Sequence, residues 1–165
     1  MTSPAPSLWD FSLALYSAPD VESICLRLQD DFQVNVNILL WCYWLEVRSI
    51  RLTPMRLEQA CQRIDSWDQT VVAPLRHLRR DIKQRYAAND QQVEACRQTI
   101  KSAELAAEKV ELDWLETLAG DWLAEMTPLP LGENSLRYLN ALCVPQNLIE
   151  EMLAYLVGRE IGSEY

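Results

Sequence analysis

The chain predicts an all-α fold, a compact helical bundle of six to eight helices. Three observations carry that reading. Helix formers (Leu, Ala, Glu, Gln, Arg) dominate, glycine occurs only four times in 165 residues, and no run alternates apolar and polar as a half-buried strand would. Apolar residues instead recur in steps of three and four along most of the chain. Between them lies Val34 to Leu45 (VNVNILLWCYWL), whose only strongly polar members are Asn35 and Asn37. Wound as a helix, that stretch is apolar on nearly every side, so it belongs in the middle of a packed domain. It is too short for the roughly 20 residues that span a bilayer.

Taken in order, residues 1–6 read as a flexible start, and Ser7 with Asp10 opens a first helix that runs to about Tyr16. Pro19 suits the first turn of a second helix, in which Val21, Ile24, Cys25, Leu28 and Phe32 form one apolar face. Asp30 to Gln33 leaves almost no connection before the central helix, placed at 34–47. Thr53 and Pro54 supply an N-cap and a first-turn proline for a helix over 54–86. That helix either breaks at the capping box Ser66 to Gln69 or kinks at Pro74, because proline removes the bond to Thr70.

Asn89 to Gln92 reads as the capping box of the longest helix, over 90–126, antiparallel to 54–86. Its seam is Val93, Cys96, Ile100, Ala103, Ala107, Val110 and Trp114, alternating steps of three and four, and from Leu105 a second stripe (Leu105, Leu112, Leu115, Leu118, Leu123) implies contacts on two sides. Two prolines and a glycine make 127–133 a loop. Two short helices follow, Asn134 to Cys143 and Pro145 to about Val157, and 158–165 reads as a tail. Residues 1–165 are therefore expected to form a single all-α domain.

Composition excludes more than it identifies. A net charge of −9 opposes nucleic-acid binding, which draws its affinity from phosphate neutralisation, and opposes adsorption to an anionic membrane. The first seven residues carry no basic charge, and the five cysteines are an odd number with no CxxC pair. Buried free thiols and a cytoplasmic location are the expectation. Charge is segregated along the chain: residues 51–89 hold eight basic against four acidic side chains, and residues 90–165 hold five against fourteen.

Several constellations were weighed for chemistry. Glu104, Glu108 and Glu111 share one helix face, but a di-metal bundle site needs Glu-x-x-His pairs, and His77 is the only histidine. A solvated or salt-bridged face is expected, with no metal and no cofactor. Arg76, Arg79, Arg80, Lys83 and Arg85 crowd three helical turns around His77. They either bind an anion, or Arg79, Arg80 and Lys83 face Glu94, Glu104 or Glu108 across the hairpin. The last two helices have helix-turn-helix lengths but present Gln146, Asn147, Glu150 and Glu151, the wrong charge for a DNA groove. No glycine loop for phosphate and no activated nucleophile is present. Asp30-Asp31 lacks the second acidic cluster that isoprenoid chemistry requires.

Asn35 and Asn37 either cap the helix start or line a polar pocket with Gln29, Asp30 and Trp41. The candidate polar or ligand site is therefore Asp30, Asn35, Asn37, Arg76, Arg79, Arg80 and Lys83. The leading functional expectation is a non-enzymatic protein-interaction or regulatory module, with a protein partner or a second copy meeting apolar faces left by Trp and Leu. The rival is a small-molecule or anion-binding protein, with an enzyme among its forms, using the basic helix 76–85 and the polar start of the central helix.

Leu8-Trp-Asp-Phe-Ser-Leu13 with Tyr16, Cys25-Leu-Arg-Leu-Gln-Asp30, Val34-Asn-Val-Asn-Ile-Leu-Leu40 and Trp44-Leu45 together resemble a family of uncharacterised bacterial proteins of about this size, a domain of unknown function. Val71 to Arg80 and Glu104 to Glu108 extend the likeness over roughly residues 8–110. The resemblance implies a compact cytoplasmic helical protein and carries no catalytic residue with it.

Overall fold

The computed structural model describes residues 6–158. Apart from Pro6 and Gly158, the expected flexible start (1–6) and tail (158–165) lie outside the described residues. The described residues form eight α-helices and one π-helical segment: α1 (Leu8–Tyr16), α2 (Pro19–Phe32), α3 (Val36–Val47), α4 (Pro54–Trp67), the π segment Asp68–Val72, α5 (Ala73–Arg85), α6 (Gln91–Gly120), α7 (Glu133–Ala141) and α8 (Gln146–Val157). Residues 54–85 are one continuous helix, so the all-α bundle of six to eight helices holds, with no strand among the described residues.

The helix starts follow the capping chemistry. Ser7 Oγ accepts from the Asp10 amide at 3.1 Å, and Thr53 Oγ1 accepts from the Arg56 amide at 3.2 Å. Pro19 and Pro54 stand at first helical positions. Asp90, rather than Asn89, caps α6, its Oδ1 accepting from Gln92 and Val93 at 3.1 Å each. The central helix begins at Val36, two residues later than expected, because Asn35 is its N-cap and Gln33 turns the chain through left-handed backbone (φ 55°).

Neither a break at Ser66 nor a kink in a regular α-helix describes the fourth helix. Ahead of Pro74 the chain widens into the π segment, where the Ala73 amide donates to the Asp68 carbonyl five residues back. Proline's missing donor is thus absorbed by a wide turn that does not require it. The α6 helix ends at Gly120 rather than near Met126, and irregular turns lead on to α7.

The core sits around α3. Every residue from Asn37 to Glu46 is buried, and α3 packs against α1, α6 and α7. Glu46 is inside because it serves a helix end. Its carboxylate accepts from the Gly132 and Ser135 amides, both at 2.6 Å, and from Ser135 Oγ at 3.0 Å. It therefore takes donors that the start of α7 would otherwise leave unmade. Beside it, Asn134 Oδ1 accepts from the Leu52 amide at 2.8 Å while Nδ2 donates to the Ile50 carbonyl at 2.9 Å. These bonds tie α7 to the α3–α4 connection.

The six tryptophans are all buried or half-buried. Arginines lie over three of them, Arg48 over Trp44 and Arg63 over Trp114 at 3.8 Å, and Arg56 over Trp122 at 4.6 Å. The expectation of five buried thiols is corrected. All five cysteines are free, Cys25 and Cys42 are buried, Cys61 is half-buried, and Cys96 and Cys143 are exposed.

Exposure of Cys96 has a wider cause. Of the predicted seam of α6 only Ala107 is buried, joined by Leu112 and Leu115 of the second stripe and by Glu104, Glu111 and Ala119, so the buried line is rotated and Cys96 and Ala103 face solvent. Buried positions begin only at Glu104, and α5 has none. The first half of α6 and the facing part of α5 form an arm that projects from the core. Among the described residues, no helix is long and apolar enough to cross a membrane.

Candidate functional site

The polar start of α3 and the basic face of α5 line one cleft. Its volume is about 650 Å³, within the roughly 300–1,000 Å³ of small-molecule sites. Of the seven candidate residues, Asn35, Asn37, Arg76, Arg79, Arg80 and Lys83 line it. Asp30 does not, and stands behind Arg80 as its ion-pair partner at 2.7 Å. Tyr16, Leu13 and Trp9 of α1 close one wall, and Lys101, Leu105 and Leu112 of α6 close another.

Between them the two asparagines cap α3 and border the cleft. Asn35 Oδ1 accepts from the Ile38 amide at 3.1 Å, which caps α3, and the Asn35 amide donates to the Tyr138 hydroxyl at 2.9 Å. Asn37 lies two residues further in, and its Nδ2 donates to Glu111 Oε2 at 2.7 Å. Both side chains still border the open volume. Asn35 thus serves backbone and pocket at once, and Asn37 serves the pocket and a buried carboxyl.

Glu111 is the residue that sequence reasoning placed wrongly. It was assigned to a solvated or salt-bridged face with Glu104 and Glu108, yet it is 0% exposed and its Oε1 has no hydrogen-bond partner. Burial pushes its carboxyl up to about 7, the Asn37 amide opposes that rise, and the negative charges of Asp68 and Glu108 add to it. The available signal was positional: Glu104, Ala107, Glu111 and Leu115 form a line in steps of three and four, which a search for apolar residues alone passes over.

Ion pairs organise the middle of the cleft. Arg76 donates to Glu104 at 3.2 Å and to Glu108 at 2.8 Å. Arg79 forks onto the same Glu104, through Nη2 at 3.1 Å and through Nε. Glu104 is only 5% exposed, so these arginines offset a buried charge. Burial also pushes the Glu108 carboxyl up, against the pull of Arg76. Facing across the hairpin was expected of Arg79, Arg80 and Lys83 together. Arg79 does so, Arg80 turns instead to α2, and neither Lys83 nor Lys101 makes an ion pair within 4.0 Å among the described residues. His77 is exposed and does not line the cleft.

Residues 7–115 match a family described as "Protein of unknown function (DUF2390)". The chain belongs to that family. The matched stretch runs from the N-cap of α1 deep into α6, and every residue lining the cleft falls within it. Helices α7 and α8 lie beyond it. No curated protein and no solved structure matches the chain.

Proposed function

We propose that this member of the DUF2390 family is a binding protein for a small organic anion, held in the cleft between α1, α3, α5 and α6. The observation that carries the reading is the convergence of Asn35, Asn37 and the α5 basic residues on one cleft of about 650 Å³. Arg76 and Arg79 are committed to Glu104 and Glu108. Lys83 and Lys101 are exposed and free of ion pairs among the described residues, and Arg80 is only paired at the surface. Positive charge is therefore left over at one end of the cleft. An interaction module would rest on apolar faces of Trp and Leu; none of the six tryptophans is exposed, while Leu13, Leu78, Leu105, Leu123 and Leu131 are, two of them in the cleft itself.

Thermal melting of the full chain against carboxylates, phosphate monoesters and nucleotides tests the proposal. A ligand at 100 times its dissociation constant adds about 2.7 kcal/mol of stability. At least one anion should raise the melting temperature, and the double substitution Lys83→Glu with Lys101→Glu should shrink that rise. A panel that leaves the melting point unmoved overturns the reading, as does a rise that the double variant fully retains.

A further inference from the structure

Resting on the cleft as the ligand site, we infer that its occupant is a linear amphipathic anion, lying along α6 with its charged head at the hairpin end and its hydrocarbon tail toward α1. The first support is the grading of the lining. On α6 the cleft is bordered by Lys101, Glu104, Leu105, Glu108 and Leu112. Those eleven steps at 1.5 Å each make a wall about 16 Å long, polar at one end and apolar at the other.

The opposite wall runs in the same sense. The pairs Arg76 to Glu108 and Arg79 to Glu104 show that α5 is antiparallel to α6, so Lys83 lies toward the Lys101 end and Ala73 toward the Leu112 end. Helix α1 meets the other half of α6. The Leu8 amide donates to Glu116 Oε2 at 2.9 Å, and Lys109 sits 5.7 Å from the Trp9 ring. The aromatic wall therefore stands at the end away from the lysines.

Exposure supplies the second support. Leu13 on α1 and Leu105 on α6 are each 43% exposed, and both border the cleft. Apolar side chains left open on two walls of one groove are what a hydrocarbon segment would cover. Between the ends, Glu104 and Glu108 are matched by Arg76 and Arg79, so the middle presents little net charge to a chain passing over it. Other polar groups of the lining stand toward the tail end, Asp68 ahead of Ala73, Asn37 on Glu111 and Glu22 near Tyr16, and the two acids among them repel a negative head from that end. Carboxylate and phosphate heads share the chemistry that Lys83, Lys101 and Arg80 would recognise.

The test is titration of the full chain with decanoate, decyl phosphate, decanol and decyltrimethylammonium, each below its micelle concentration. Tryptophan fluorescence is the readout, because Trp9 borders the tail end, with melting temperature as a second signal. Decanoate or decyl phosphate should bind about tenfold or more tightly than decanol, and the cationic amphiphile should not bind. Which anion binds better identifies the head group. Lys83→Gln with Lys101→Gln should reduce anion affinity and leave decanol unchanged, whereas Leu105→Gln should weaken both. Equal affinity for anion and alcohol overturns the assignment of the head. Failure of every amphiphile, with a short anion still raising the melting point, overturns the linear ligand but leaves the cleft reading standing. Failure of both sets removes the two together.

Discussion

Replacing Glu111 by glutamine should abolish what that position contributes to the pH dependence of stability. In the folded chain burial raises the carboxyl to about 7 from an ordinary 4.5. A group whose folded value is raised gives its full contribution below 4.5 and loses it as pH climbs through 7. At roughly 1.4 kcal/mol per pH unit, the wild type forfeits up to about 3 kcal/mol across that window. The amide introduced by Glu111→Gln cannot titrate and resembles the protonated acid in shape. One of its atoms still accepts from Asn37, and the other leaves a donor where Oε1 now stands without a partner. That leftover donor offsets every pH alike, by about 1–3 kcal/mol. The slope, rather than the offset, is therefore diagnostic. Urea unfolding of both proteins at pH 4.5, 5.5, 6.5 and 8 should show the variant gaining on the wild type up to about pH 7 and then running parallel. Asp68, Glu108, Glu46 and the arginines around them are common to both proteins and cancel to first order. A difference that stays flat across the series, or that falls, would falsify the assignment of a buried, elevated carboxyl.

Three other outcomes follow from the geometry. Glu46→Ala strips the start of α7 of an acceptor for two amides and a hydroxyl in the core; it should cost about 3 kcal/mol or more in urea unfolding, while Glu46→Gln retains part of that. Asn35→Ala removes the α3 cap and should cost about 1 kcal/mol, with Asn35→Asp much closer to wild type. Thiol titration of the native chain should show Cys96 and Cys143 reacting quickly and Cys61 more slowly, with Cys25 and Cys42 released only by denaturant. Burial pushes the Cys25 thiol up to about 12 and Cys42 well above its ordinary value. Fast reaction of all five would contradict the burial of Cys25 and Cys42.

The helix inventory was legible because its signals are local. Ser7, Thr53, Pro19 and Pro54 act within one turn, so their roles survive any tertiary arrangement. Errors arose where two local choices were nearly equal or where a distant partner decides. Asn89 and Asp90 can both cap, and only the turn from Ala87, whose carbonyl accepts from the Asp90 amide, selects the second. The wide turn before Pro74 depends on a pairing five residues long, which no periodicity of three and four registers. The rotated seam of α6 is the most instructive miss. Apolarity favoured Val93, Cys96 and Ala103, yet the buried line passes through Glu104 and Glu111, whose charges are answered by Arg76, Arg79 and Asn37 from other elements. Asn35, Asn37 and the α5 basic residues were nominated separately, as unexplained polarity and as clustered charge, and they border the same cleft. The apolar half of that cleft was not nominated, because Leu13 and Leu105 look like ordinary core positions in a one-dimensional pattern.

The projecting arm gives the two ends of the cleft unequal footing. Leu112 and Trp9 stand on the buried body of the bundle, whereas Lys83 and Lys101 stand on helix segments with no fully buried residue. Amide hydrogens of residues 78–100 should therefore exchange through local openings far below the global unfolding free energy, while those of α3 exchange only with the whole domain. An occupant bridging both ends would draw part of its affinity from slowing those openings. The exchange rate of the arm would then report occupancy of a cleft whose deepest wall never moves.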